Sequence, residues 1–353
     1  MRSFQAARRL PTADSTQAPL HGHGFEARLV APEAACRPKF RGDETRALQA
    51  ALAPAVDALD YRLVNDRIAP ADDAGIAEWL LAESGLAGDA GMALRSAPDR
   101  GAIIQARQPR LAWQGFRFEA AHCLPNVPAG HKCGRMHGHG FEVTLFAALG
   151  SRDDAASAQA SITGAWDPLQ GRLHLSCLND LPGLENPTSE ALAQWIWQGL
   201  QDKLPDLAGV TVMETGSAGC HFDGAQWRIW KSMSFDSAVR LAAAPEGDRR
   251  RMIHGHTFIT RLHLTGGLDQ VLGWVHDYGD VKQRFDPVFR ALDHRPLYEQ
   301  AGLADNDPAS IARWIHHEMA DALPGLSRID VLETPGCGVL LCRQPDDRGL
   351  LVP

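Results

Sequence analysis

Apolar and polar residues alternate along several short stretches of this chain, most plainly in Phe141-Glu142-Val143-Thr144-Leu145. A period of two puts every second side chain on one face, which predicts a half-buried strand. Elsewhere the period lengthens to that of a helix. Ile76-Ala77-Glu78-Trp79-Leu80, Leu192-Ala193-Gln194-Trp195-Ile196 and Ile311-Ala312-Arg313-Trp314-Ile315 each read as an amphipathic helix with a central tryptophan. Each tryptophan is expected to pack on a sheet rather than to face a ligand.

These elements recur. Phe4-Gln5-Ala6-Ala7-Arg8, Phe118-Glu119-Ala120-Ala121-His122 and Phe235-Asp236-Ser237-Ala238-Val239 match one another, and a His-Gly-His follows each, at 21–23, 137–139 and 254–256. Such self-similarity marks a repeated supersecondary unit. It predicts three modules, 1–111, 112–230 and 231–353, each with two strands, helical segments and two more strands. No Gly/Ser-rich or Pro-rich linker separates them, so sheets are expected to continue from one module to the next. Module two is expected to lack a strand that 273–278 forms in module three, because polar Ser151-Arg152-Asp153-Asp154 stands there instead.

Composition narrows the function. A length of 353 residues with 44% hydrophobic content can bury two or three cores. A net charge of -8 argues against nucleic acid or an anionic membrane as the main partner. No apolar run is long enough to span a bilayer. Seven cysteines without a secretory pattern fit a reducing cytoplasm better than a disulfide framework. The basic residues 1–10 mimic a transit peptide, but they match the first strand of the other modules.

The chemistry concentrates in module two. His137 and His139, two apart, project to one face of a strand, and His122 on the paired strand can supply a third nitrogen. Three imidazoles with an open position suit catalytic zinc, and Cys133 stands beside them as a nucleophile or base.

Residues 118–124, His131-Lys132-Cys133-Gly134-Arg135-Met136-His137-Gly138-His139, the run from Leu178 through Pro187-Thr188-Ser189-Glu190, and Glu214-Thr215 resemble the 6-carboxytetrahydropterin synthase and 6-pyruvoyltetrahydropterin synthase family. The likeness covers nearly all of module two and is motif-level in the others. Three residues between Cys133 and His137 resemble the carboxy-forming branch. The resemblance implies an α+β tunnelling fold, in which three ββααββ modules close an antiparallel β-barrel with helices outside, and two rings stack. One chain would then be a ring, and the protein a homodimer of pseudo-trimeric rings. It also implies Zn2+ on His122, His137 and His139, and Glu214 as the pterin anchor, with Thr188 and Thr215 at the substrate. Cys133 would act with an Asp-His dyad from a neighbouring unit.

The modules divide these parts unequally. Module two has His174-Leu175 at the dyad position. Module three has Asp293-His294 and Glu333, but Val239 at the ligand position and Arg250 near that of the cysteine. Module one has Arg8 at the ligand position, Gln17 near that of the cysteine, Asp60-Tyr61 for the dyad and Arg95 for the anchor. One complete set is therefore expected across modules two and three: His122, His137, His139, Cys133 and Glu214 with Asp293 and His294. Lys132 and a bound cation are expected to depress the Cys133 pKa. By resemblance the reaction converts 7,8-dihydroneopterin triphosphate to 6-carboxytetrahydropterin, acetaldehyde and triphosphate in the 7-deazaguanine (queuosine) pathway. A non-catalytic pterin-binding scaffold and a zinc lyase for another pterin remain open as alternatives.

Overall fold

The computed structural model describes residues 1–10, 19–86, 88–150, 154–303 and 305–343. Gln17 and residues 151–153, on which two expectations rested, lie outside the described residues. The chain opens with the hairpin β1 (Arg2–Arg9) and β2 (Leu20–Val30), then α1 (Glu44–Leu59), α2 (Asp73–Glu83), β3 (Gly91–Ala97) and β4 (Arg100–Gln105). The order repeats with β5 (Arg110–His122), β6 (His137–Leu149), α3 (Ala155–Leu173), the two-residue β7 (Ser176–Cys177), α4 (Ser189–Leu200), β8 (Leu207–Thr215) and β9 (Ala218–Phe222). A third run comprises β10 (Trp227–Val239), β11 (His254–Gly266), α5 (Tyr278–Leu292), the short β12 (Arg295–Pro296), α6 (Pro308–Met319), β13 (Leu326–Thr334) and β14 (Cys337–Cys342).

All strands belong to one sheet, antiparallel along β1-β2-β3-β4-β5-β6-β8-β9-β10-β11-β13-β14, with β7 and β12 pairing in parallel with β5 and β10. The sheet runs on between runs, Ala102 facing Ala112 and Cys220 facing Ile229. Positions 111/112 and 230/231 thus fall inside the continuous strands β5 and β10. The sheet is not a hydrogen-bonded ring: β1 and β14 are the two ends of the strand order and do not pair with each other. Met1 instead packs its side chain on Gly336 in the β13–β14 turn, so the two edges meet through side chains. The expected strand at 273–278 is absent as well. Asp277 there caps α5, its carboxylate accepting from the backbone amides of Gly279 and Asp280, and a cap carboxylate commits the segment to starting a helix.

The strands keep their register through one aromatic pair apiece. Phe4 faces Phe25, Phe118 faces Phe141 and Phe235 faces Phe258, with ring centroids 4.8, 5.0 and 5.3 Å apart. Each pair is buried, and a ring removed from water contributes about 1.5–3 kcal/mol, so a one-residue slip of the hairpin is strongly disfavoured. Phe141, Val143 and Leu145 alternate into a core beneath α3 and α4 that continues under the third run. The first run has its own core around Leu52, Leu59, Ile76 and Leu80. Trp79, Trp195 and Trp314 lie partly buried against these cores, as the helical period predicted. On the opposite face, Ile103, Trp113 and Phe146 pack with Val30 from β2 and Leu340 from β14. The sheet therefore curls far enough to bring its first and last parts together. All seven cysteines are free thiols. Among the described residues no helix is long and apolar enough to cross a membrane.

Candidate active site

In the β5–β6 ladder His122 faces His137, and His139 lies two residues on. The three rings gather with centroids 4.5 to 5.3 Å apart, each offering a nitrogen within 4.8 Å of the others. Both Pro187 and Arg135 present carbonyl oxygens, which only accept. Nδ1 of His122 therefore donates to Pro187 over 3.0 Å and Nδ1 of His137 donates to Arg135 over 2.7 Å. That fixes the tautomers and turns the bare Nε2 atoms toward one another. Nε2 of His122 is buried without any hydrogen-bond partner. Burial, followed by the neighbouring histidines, pushes His122 down to about 4, so the imidazole is neutral near pH 7. A buried lone pair with no donor, beside two further imidazoles of which one is likewise oriented by a carbonyl, is the donor set a zinc-type cation needs.

Among the described residues, the other two runs lack this set. Opposite His21 stands Arg8, whose guanidinium binds Asp73 at 2.6 Å and lies 3.3 Å from Nε2 of His23. Opposite His254 stands Val239.

Cys133 sits in the tight turn Lys132–Gly134, its amide donating to Nδ1 of His131. Burial raises its pKa, Lys132 opposes the rise, and Glu214 and Asp277 add to it. The depression expected from Lys132 is thus overridden by burial and two carboxylates. Glu214 is half-buried, and burial followed by Glu190 pushes its carboxyl up to about 8. Glu190 is 1% exposed and burial lifts it to about 7. Its Oε1 accepts from the amide of Val275 at 2.9 Å. Two neighbouring carboxyls that cannot both ionise cheaply can share protons with a ligand presenting several N–H groups. Thr215 is exposed at the end of β8.

The third run supplies the facing wall. Thr188 donates to the carbonyl of Gly273 at 2.7 Å while capping α4, so its hydroxyl serves structure before substrate. Asn186 donates to the carbonyl of Leu272, Ser189 pairs with the Tyr278 hydroxyl at 3.1 Å, and His131 meets Asp277 at 3.3 Å. The second and third runs therefore pack against each other beside these residues.

The dyad is elsewhere. His294 Nδ1 and Asp293 are 2.9 Å apart, and Asp293 also accepts from the Asp236 amide. The Asp236 amide, followed by His294, depresses the Asp293 pKa, and the hydrogen bond to Asp293 raises that of His294. Asp277 and Asp293 flank the 15-residue α5, which at about 1.5 Å per residue puts them roughly 22 Å apart. His294 is thus beyond hydrogen-bonding reach of Cys133 on the same polypeptide, and the expectation that the set closes within one ring is corrected by the length of that helix. His294 instead ends an exposed tip. Tyr61, Leu175 and His294 share left-handed φ values of 53, 59 and 54°, with amides bound to Gln5, Glu119 and Asp236. All three side chains are 77% exposed.

A profile described as 6-pyruvoyl tetrahydropterin synthase matches residues 112–225 and again 228–343. The chain belongs to this family. Two curated proteins align with about a third of it: a 6-carboxy-5,6,7,8-tetrahydropterin synthase from Synechocystis, 36% identical over 120 residues and 92% of its length, and a dihydroneopterin monophosphate aldolase from Pyrococcus furiosus, 33% identical over 120 residues and 96% of its length. Among solved structures, 6-pyruvoyl tetrahydropterin synthase from Caenorhabditis elegans is 20% identical over 33% of this chain and 95% of its own, with a TM-score of 0.29. Within the family match, sequence reasoning left Glu190, Asp277 and Tyr278 unassigned. Glu190 ends the Pro187-Thr188-Ser189-Glu190 run that resembles the family, which is a signal for it in the sequence. Asp277 and Tyr278 were read as strand, and nothing in the pattern placed them against the second run.

Proposed function

We propose that the chain is a zinc-dependent 6-carboxytetrahydropterin synthase that takes 7,8-dihydroneopterin triphosphate to 6-carboxytetrahydropterin, acetaldehyde and triphosphate. The observation that carries this is the three-histidine cluster with its unpartnered buried Nε2, set beside Cys133 and Glu214. His122, His137 and His139 would hold the zinc, which supplies Lewis acidity toward the hydroxyls on the substrate's side arm. Glu214 and Glu190 accept hydrogen bonds from the guanidine-like edge of the pterin and orient it. Cys133 removes a proton from a carbon of that side arm. Lys231 is lowered by burial, then by Lys282 and Lys132, and these three ammonium groups suit an oligophosphate tail.

The dyad reaches the site from a second chain. Leu20, Met136 and Ile253 immediately precede the three His-Gly-His segments and are exposed, as are Tyr61 and Leu175. An apolar rim repeated around one end of the sheet fits an identical rim on another copy. In such a homodimer, each chain made of three fused modules (1–111, 112–230, 231–353), His294 of the partner subunit, oriented by its aspartate, relays protons at the pterin. Seven free thiols accord with a cytoplasmic setting.

Zinc-loaded protein incubated with dihydroneopterin triphosphate should yield 6-carboxytetrahydropterin by mass analysis. Tight pterin binding with no product would replace the enzyme by a binding protein, and turnover of only another pterin would replace the substrate.

A further inference from the structure

At the junction of the third and first runs the reaction machinery is filled in. Arg250 stands near the position of Cys133, and its guanidinium is held by Asp248 and Asp43, each at 2.8 Å, and stacks on Phe40 at 4.6 Å. Glu333, at the position of Glu214, accepts from the Thr45 hydroxyl at 2.8 Å. Beside this plug, on the outer side of α1, opens a cavity of about 900 Å3, large enough for a metabolite.

Its charge is unlike that of the rest of the molecule. Five cationic side chains line it against two acidic ones, in a protein of net charge -8. Both acids, Asp43 and Asp248, are committed to Arg250. Arg37, Lys39 and Arg46 make no side-chain hydrogen bond or ion pair among the described residues, and all three are exposed. Arg46 lies close enough to Asp248 to help lower its pKa, yet all three side chains keep their donors for a ligand with several negative oxygens. Leu48, Ala51 and Leu86 form an apolar side that can take the ligand's organic part.

We propose that this cavity is a second ligand site, for a small organic oligophosphate, separate from the zinc cleft. It requires neither the metal nor Cys133, and stands whether or not the proposed reaction is right.

The test is calorimetric titration of inorganic triphosphate and of ATP into the zinc-loaded full-length protein at low salt. Arg37→Glu/Arg46→Glu should weaken one site at least tenfold, with Arg37→Ala/Arg46→Ala weakening it less, and added salt should weaken it in the unaltered protein. Lys132→Glu, at the cleft, should leave that site unchanged. Absence of binding by either probe at millimolar concentration overturns the proposal, as does a titration in which the double charge reversal weakens no site. Loss of all binding in Lys132→Glu would place the anion in the zinc cleft instead. Thermal melting of each variant separates lost binding from lost fold.

Discussion

Arg8 donates from Nη1 to Asp73 across 2.6 Å, both side chains almost fully buried, and this ion pair stands in the first run where His122 stands in the second. Asp73 is satisfied further by Ser96 and Gln159. The guanidinium also lies against His23, so a fixed cation occupies the region that a metal would need. Removing one partner of a buried pair costs about 3–5 kcal/mol, because the other charge is left uncompensated. Arg8→Ala should therefore lower the urea midpoint markedly without changing metal content. Metal analysis of the unaltered protein should find about one zinc per chain, and His137→Ala close to none with the fold retained. A value near three would mean that Arg8 and Val239 do not block the other two sites.

Glu214 gives stability a pH dependence whose sign follows from its raised pKa. Between the ordinary value of 4.5 and the native value of about 8, the folded chain keeps a proton that the unfolded chain has lost. Stability should fall as pH rises through this window, by up to about 1.4 kcal/mol per pH unit for one such group. Glu214→Gln should flatten the curve, matching the unaltered protein near pH 4.5 and exceeding it near pH 9. Urea midpoints at pH 5, 7 and 9 check this. An unchanged slope in the variant would assign the effect to Glu190, which is raised by the same cause.

The strands and the histidine cluster were legible because both depend on spacing within one hairpin. Phe118, Phe141 and the three histidines occupy positions that a period of two within one hairpin determines locally. What crosses between runs was not legible. Val275 reaches Glu190 over a separation of 85 residues, and the pattern around it reads equally well as a strand. The dyad was placed wrongly for the same reason. A sequence shows that Asp293 and His294 exist and are complementary to what the second run lacks. Only the length and direction of α5 show that they point away from Cys133. At Cys133 burial, with Glu214 and Asp277 that are distant in sequence, outweighs Lys132.

The apolar rim should hold two chains together. Met136 and Leu175 are 58% and 77% exposed, and neither has a core to serve where it stands. Met136→Asp/Leu175→Asp should shift the mass in solution from two chains to one while leaving the melting temperature of the monomer nearly unchanged. Turnover should fall with dimerisation, since the dyad arrives from the other ring. Full activity in a monomeric variant would return the whole site to one polypeptide.

Mixing two inactive variants tests the origin of the dyad with a number. Suppose the second segment of one ring takes its dyad from the third segment of the other. A two-fold axis makes that exchange reciprocal, which leaves the first segment of each ring facing its own copy. Cys133→Ala and His294→Ala should each abolish turnover with zinc still bound. After the two variants are unfolded together and refolded, half of the dimers should be mixed, and each mixed dimer has one site with an intact Cys133 facing an intact His294. About a quarter of the unaltered activity should return, given random pairing of the two variants. The double variant Cys133→Ala/His294→Ala, unfolded and refolded with an equal amount of unaltered protein, should leave half the activity expected from dilution alone, because half of the unaltered chains enter mixed dimers that contain no such site. No recovery from the first mixture, despite mixed dimers seen by mass, would mean that His294 acts within its own ring or not at all.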